Sequence, residues 1–262
     1  MSAATSVTAA PVPARPAGRL TVTRFKALMG MHAKLIRRDP GYALVVLIPV
    51  LLLVIFGSVS GAKKPVASLG GRSVLDVYLP TIAAMVPLMI ACTGLPALMA
   101  SFRERNALRR FAVSPVPAGG ILAALVAVLS AMALVGVALV VGLGLGVFHA
   151  KAPADLGAVI SSFLLGFTAV MAVGMIAAAV ATTSGMASGL GIPFMILNFF
   201  FSGLYIPVAQ MPHLLQTIGE YIPFGAVMDA WAGQGALWQH LAVLAGYTVV
   251  GSVVSAKLFR WE

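Results

Sequence analysis

Long apolar runs separated by short polar stretches dominate the chain. Six approach or exceed the roughly 20 helical residues that cross a hydrocarbon core of about 30 Å: Tyr42 to Val59, Leu75 to Met99, Ile121 to Phe148, Leu156 to Ala181, Leu190 to Ile206 and Leu237 to Leu258. The pattern predicts an all-α polytopic membrane protein with six transmembrane helices and both termini on one side. Before the first run, Phe25, Leu28, Met29, Leu35 and Ile36 recur at helical spacing, with Arg24, Lys26, Lys34, Arg37 and Arg38 between them. That alternation predicts an N-terminal amphipathic helix lying in the interface, apolar side towards the acyl chains and basic side towards lipid phosphates. Asp39-Pro40-Gly41 then turns the chain into the first span. Between the fifth and sixth spans, residues 207–231 are too polar, and too broken by Pro207, Pro212 and Pro223, to cross. They predict short external re-entrant helices, with Trp231 and Trp238 in the outer aromatic belt.

Composition agrees. The chain is 60% hydrophobic and 9% charged, far outside the range of soluble domains. Residues 1–20, rich in Ala, Pro, Ser and Thr, read as a disordered cytoplasmic tail, leaving 21–262 as one six-span domain. Of the 17 Lys and Arg, only Lys63, Lys64, Arg72 and Lys151 fall on the side opposite the termini. Short basic loops stay in the cytoplasm, so the bias places both termini there, in a multi-pass plasma (inner) membrane protein. The net charge of +10 thus reads as topology and contact with anionic lipid, with no nucleic-acid partner.

The chemistry that is missing narrows the function. No GxxxxGK[ST] phosphate loop occurs, so ATP is not expected to bind in the usual cradle. HExxH, CxxC and Gly-x-Ser-x-Gly arrangements are also absent, and His32, His149, His213 and His240 are scattered. The expectation is a chain that is no enzyme, with no catalytic residue, metal or bound cofactor of its own. Cys92, the single cysteine, reads as packing. Asp76, Asp155, Glu220 and Asp229 fall at or beyond the outer boundary, and Asp39, Glu104 and Glu262 at the inner one. An ion-coupled carrier normally keeps a carboxylate at mid-membrane, so energy delivered by another subunit is the better expectation.

One charged segment is placed to receive it. Residues 103–115 (RERNALRRFAVSP) lie between the second and third spans. Written as a helix, they put Glu104, Leu108 and Phe111 on one face, with Arg105, Arg109 and Arg110 at its flanks and Pro115 at its end. Leu108 and Phe111 suit insertion into the cleft of a soluble partner, with arginines around the rim. A topology loop lying on the membrane fits the same pattern, and physics alone leaves both open.

Within the spans, Pro80, Pro87 and Pro96 interrupt the second one, and such defects survive in lipid only where protein or water satisfies the freed carbonyls. That span is expected to face the interior or a pathway. Thr182 to Ser188 reads as a tight turn between the fourth and fifth spans. Thr81, Met85 and Met89 on the second span, and Met195, Asn198, Phe199 and Ser202 on the fifth, form stripes suited to line a cavity for an amphipathic ligand. The Asn198 amide needs a partner, in a neighbouring helix or in the substrate.

RERNALRRFAVSPVP resembles the segment between the second and third spans of type 2 ATP-binding-cassette (ABC) exporter permeases, approximately E-R-x-x-G-T-L-x-R-L-x-x-[ST]-P. Glu104, Leu108, Arg110, Ser114 and Pro115 match; Phe111 replaces an aliphatic residue, and Asn106 and Ala107 stand for Gly and Thr. Phe199 to Trp231 (FFFSGLYIPVAQMPHLLQTIGEYIPFGAVMDAW) is similar to the family's F-x-S-G…P…M-P…P run with its acidic end, here Asp229. The resemblance implies a permease subunit whose 103–115 coupling helix is gripped by a cytosolic ABC ATPase that carries ATP and Mg. It also implies a second permease subunit, identical or not, and outward movement of an amphipathic drug, lipid or glycolipid. A six-span channel or passive carrier, and a scaffold recruiting a cytosolic protein, are the alternatives.

Overall fold

The structure, a computed structural model, describes residues 21–67, 71–105, 117–153, 155–206 and 208–259. The expected tail and most of the 103–115 segment lie outside them. Among the described residues, six helices are long and apolar enough to cross a membrane. α1 (Val22–Arg38) precedes them. Asp39 stands between α1 and α2 (Pro40–Ser58), its carboxylate accepting from Gly41 N at 2.9 Å, with Pro40 opening the new helix. Proline suits that first position, where its missing N–H would have had no partner.

The second span is α3 (Val74–Met89), one widened turn of π-helix (Ile90–Gly94) and α4 (Leu95–Glu104). A capping box of Ser73 and Asp76 starts it, and Asp76 also accepts from Lys151 N at 2.7 Å. The remaining spans are α5 (Ala118–Gly146), α6 (Leu156–Val180), α7 (Ser184–Phe201) and α10 (Leu237–Leu258). Short helices α8 (His213–Glu220) and α9 (Pro223–Ala232) join the fifth span to the sixth.

The proline-rich second span is the centre of the bundle. Ile82, Val86, Leu88, Ile90 and Leu95 are fully buried. Leu95 N donates to Ile90 O, five residues back, and Pro96 has no N–H, so Ala91 O loses the donors an α-helix would give it. The surroundings take up this loosened turn. Tyr42 of the first span donates its hydroxyl to Gly94 O at 2.9 Å, and Thr93 donates to Met89 O at 2.6 Å. Ala91 O faces Gly174 of α6 and Cys92 O faces Gly191 of α7, so closely that a Cβ on either glycine would overlap the carbonyl oxygen. Only hydrogens fit there, as expected of close helix contacts in a bilayer.

The fifth span differs from its sequence expectation. It begins at Ser184 and ends at Phe201, several residues earlier at each end than Leu190 to Ile206. Thr183 accepts from Met186 N at 3.2 Å and starts the helix within the expected turn, where local capping outweighs the low hydropathy of Ser184 to Ser188. At the other end Gly203, at φ +81°, breaks the helix.

Candidate functional site

The basic end of the bundle carries α1, Arg103, Glu104 and Lys257. Here the second span delivers two opposite charges to two helix termini. Arg103 donates to Ala178 O at 2.5 Å, Ala179 O at 3.1 Å and Ala181 O at 2.6 Å, at the C-terminus of α6. Its guanidinium lies 5.6 Å from the Phe259 ring, just past the sixth span. Glu104 accepts from Ser184 N at 2.8 Å and Ser184 Oγ at 3.2 Å, at the N-terminus of α7. Helix termini leave unpaired carbonyls at one end and amides at the other, with partial charges to match. Each residue meets the pole it suits.

α1 packs on the third span beside this corner. Phe25 and Leu28 are half-buried against the protein, while Leu35, Arg37 and Arg38 are exposed. The residue that completes the inward stripe is His32. It is fully buried, its ring centroid is 6.0 Å from that of Phe102, and neither ring nitrogen has a hydrogen-bond partner among the described residues. Burial holds its imidazole below the usual range, and the nearby Ile121 carbonyl, outside bonding geometry, offsets this only in part. The neutral ring works as packing between α1 and the start of the loop region.

Leu108, Arg109, Arg110, Phe111 and Pro115 lie outside the described residues. Of the expected coupling set, Glu104 is placed, and its carboxylate is engaged within the chain. The cavity candidates meet one another inside the fold. Thr81 donates to Ser202 O at 3.1 Å and contacts Met228 Sδ at 3.6 Å. Asn198 donates to Phe194 O at 2.9 Å and accepts from Phe224 N at 3.2 Å, so the amide left open between helix and substrate holds the start of α9. Thr81, Met85, Asn198, Phe199 and Ser202 are buried, with Met89 and Met195 half-buried. An apolar crevice of about 460 Å³ lies elsewhere, between the third, fourth and sixth spans, lined by Val126, Phe167, Met171, Met175, Thr248 and Phe259 among others.

At the opposite end α9 is enclosed by its neighbours, and Asp229 near its C-terminus is only 6% exposed. Burial raises the Asp229 carboxyl to about 6; His240 pulls it down and Glu220 pushes it up. His240 itself is buried, with Nε2 2.8 Å from Gln234 O. A carboxyl raised from 3.8 to about 6 binds more protons folded than unfolded between those values, so stability falls as pH rises through that window. Asp229→Asn is therefore expected to stabilise the protein at pH 7.5 by roughly 2 kcal/mol. Near pH 4 it is expected to change little. Melting temperature in detergent at the two pH values measures the difference.

Among the described residues, five membrane-length helices around a buried, proline-broken second span, with an interfacial helix at the basic end, make this a multi-pass membrane protein. The chain belongs to the ABC-2 type transporter family, whose model matches residues 23–233. It is thus the membrane permease component of an ABC transporter and not itself catalytic. Comparison with curated proteins finds no match.

Sequence reasoning had not singled out Arg103, His32 or Asp229 as interacting groups. His32 was readable: it falls three and four residues after Met29 and Leu28, inside the apolar stripe. For Arg103 the signal was indirect, since α6 has no basic residue in its last turn and α7 no acidic residue in its first.

Proposed function

We propose that this chain is the permease subunit of an ATP-driven exporter that moves an amphipathic drug, lipid or glycolipid outward. A separate cytosolic ABC ATPase supplies the energy, and ATP and Mg stay with that partner. A second permease subunit completes the membrane part. The basic end faces the cytoplasm of the plasma membrane, following the Lys and Arg bias. The observation that carries the reading is the exit of the 103–115 segment from the most buried span. A push on that segment acts on the helix that touches most of the bundle. Support also comes from the spans, in which Asp, Glu, Lys, Arg and His of the described residues lie near helix ends rather than at mid-depth.

Inside-out vesicles from cells producing this chain with its ATPase are expected to take up a dansylated phospholipid on addition of ATP. Uptake should persist with a protonophore and stop with vanadate. Uptake without nucleotide would favour the channel or passive carrier, and uptake abolished by the protonophore would favour ion coupling.

A further inference from the structure

The fourth span ends without a basic residue, the fifth begins without an acidic one, and the second span supplies both from adjacent positions. At the C-terminus of α6, Ala181 N already bonds Ala177 O. Arg103 takes Ala178 O and Ala179 O beyond it, and Ala181 O in the turn. At the N-terminus of α7, Thr183 takes Met186 N, and Glu104 takes Ser184 N and its hydroxyl. Charge order matters, because an Arg–Glu pair meets the negative end of α6 and the positive end of α7. The reversed pair would oppose both.

We propose that Arg103 and Glu104 are positioning residues that clamp the turn between the fourth and fifth spans to the root of the 103–115 segment. Motion of that segment then passes directly into those spans. The use of this clamp rests on the transport reading above; its existence does not. Glu104 is exposed, so its bonds contribute little to fold stability. Their loss should appear as lost mechanical connection rather than as unfolding.

Ser184→Pro isolates the clamp. Proline is favoured at the first position of a helix, and Thr183, at φ −129° and ψ 156°, already has the extended backbone that a following proline requires. The substitution removes both donors to Glu104 and leaves every charge in place. Nitroxides on Arg105→Cys and Thr182→Cys report on the joint directly, because Cys92 is buried. Sharp dipolar broadening in the continuous-wave EPR spectrum is expected with Ser184. A weaker, heterogeneous interaction is expected with Ser184→Pro or Glu104→Ala, and an intermediate one with Glu104→Gln, which keeps an acceptor. Identical spectra in all four would overturn the clamp.

In the permease–ATPase complex, Ser184→Pro and Glu104→Ala are each expected to lower dansylated-phospholipid uptake per ATP hydrolysed about threefold, the scale of one exposed charged contact. The double variant should be no worse than either single one. The coupling role is overturned if Ser184→Pro matches the parent while Glu104→Ala loses ATPase stimulation, which would make Glu104 a docking group. It is equally overturned if uptake falls only in step with melting temperature and folded yield. A parent complex with sharp EPR broadening but no ATP-driven uptake would reject the transport reading and leave the clamp standing.

Discussion

Replacing Gly191 or Gly174 with alanine is expected to cost about 3 kcal/mol or more, a drop in melting temperature of roughly 10 °C. A Cβ at Gly191 would overlap Cys92 O, and one at Gly174 would overlap Ala91 O. Both oxygens belong to backbone, so no side-chain rotation relieves the overlap. The π-turn that presents them is fixed by Pro96 within its own helix and by Tyr42 from the first span. Either the fourth or fifth helix must move off the second, or the turn must rewind against a proline. Gly185 and Gly189, on the same helix as Gly191, have no atom of the described residues within 4 Å of an added Cβ. Alanine there is expected to be neutral, or to stabilise by up to about 1 kcal/mol through helix propensity. Thermal unfolding in detergent compares the four variants; equal melting temperatures at 185, 189 and 191 would remove the central packing argument.

Phe111→Asp and Leu108→Asp are expected to leave the chain inserted and folded while weakening its hold on the ATPase about thirtyfold or more. On the helical spacing read from the sequence, both side chains lie on the face of the 103–115 segment that a cleft would accept. A carboxylate in such a cleft has no partner and loses its hydration. Permease-stimulated ATP hydrolysis should fall with the loss of assembly, the opposite of the pattern expected for the clamp variants. If hydrolysis and assembly survive both substitutions, the segment does not dock through this face.

The spans were legible in the sequence because membrane insertion depends on length and composition, which a linear pattern contains. The burial of the second span was legible too, since Pro80, Pro87 and Pro96 free carbonyls that lipid cannot satisfy. What the sequence withheld were pairings. The sequence leaves the Asn198 amide open between a neighbouring helix and a substrate, and the bond from Phe224 N, 26 residues on, is visible only in the fold. Asp229 reads from the sequence as a residue at or beyond the outer boundary, and only the packing of α9 against the fourth, fifth and sixth spans shows that it is buried there. Arg103 and Glu104 sit inside a segment whose sequence shows its outward face, whereas their partners are the facing ends of the fourth and fifth spans, some 75 to 80 residues later. Such pairings follow from tertiary packing, which periodicity does not encode. The early start of the fifth span has a local cause, the Thr183 cap, in a stretch where hydropathy was the wrong guide.

Transport powered by a separate subunit requires that an ATPase bear on the 103–115 segment from the cytoplasm. Arg109→Cys tests this with a membrane-impermeant maleimide, since the native Cys92 is buried. In intact cells the cysteine should not react. In inside-out vesicles it should be shielded while the ATPase is bound, and should react once the ATPase is stripped away. Labelling from outside intact cells, or equal labelling of vesicles before and after stripping, would contradict the account.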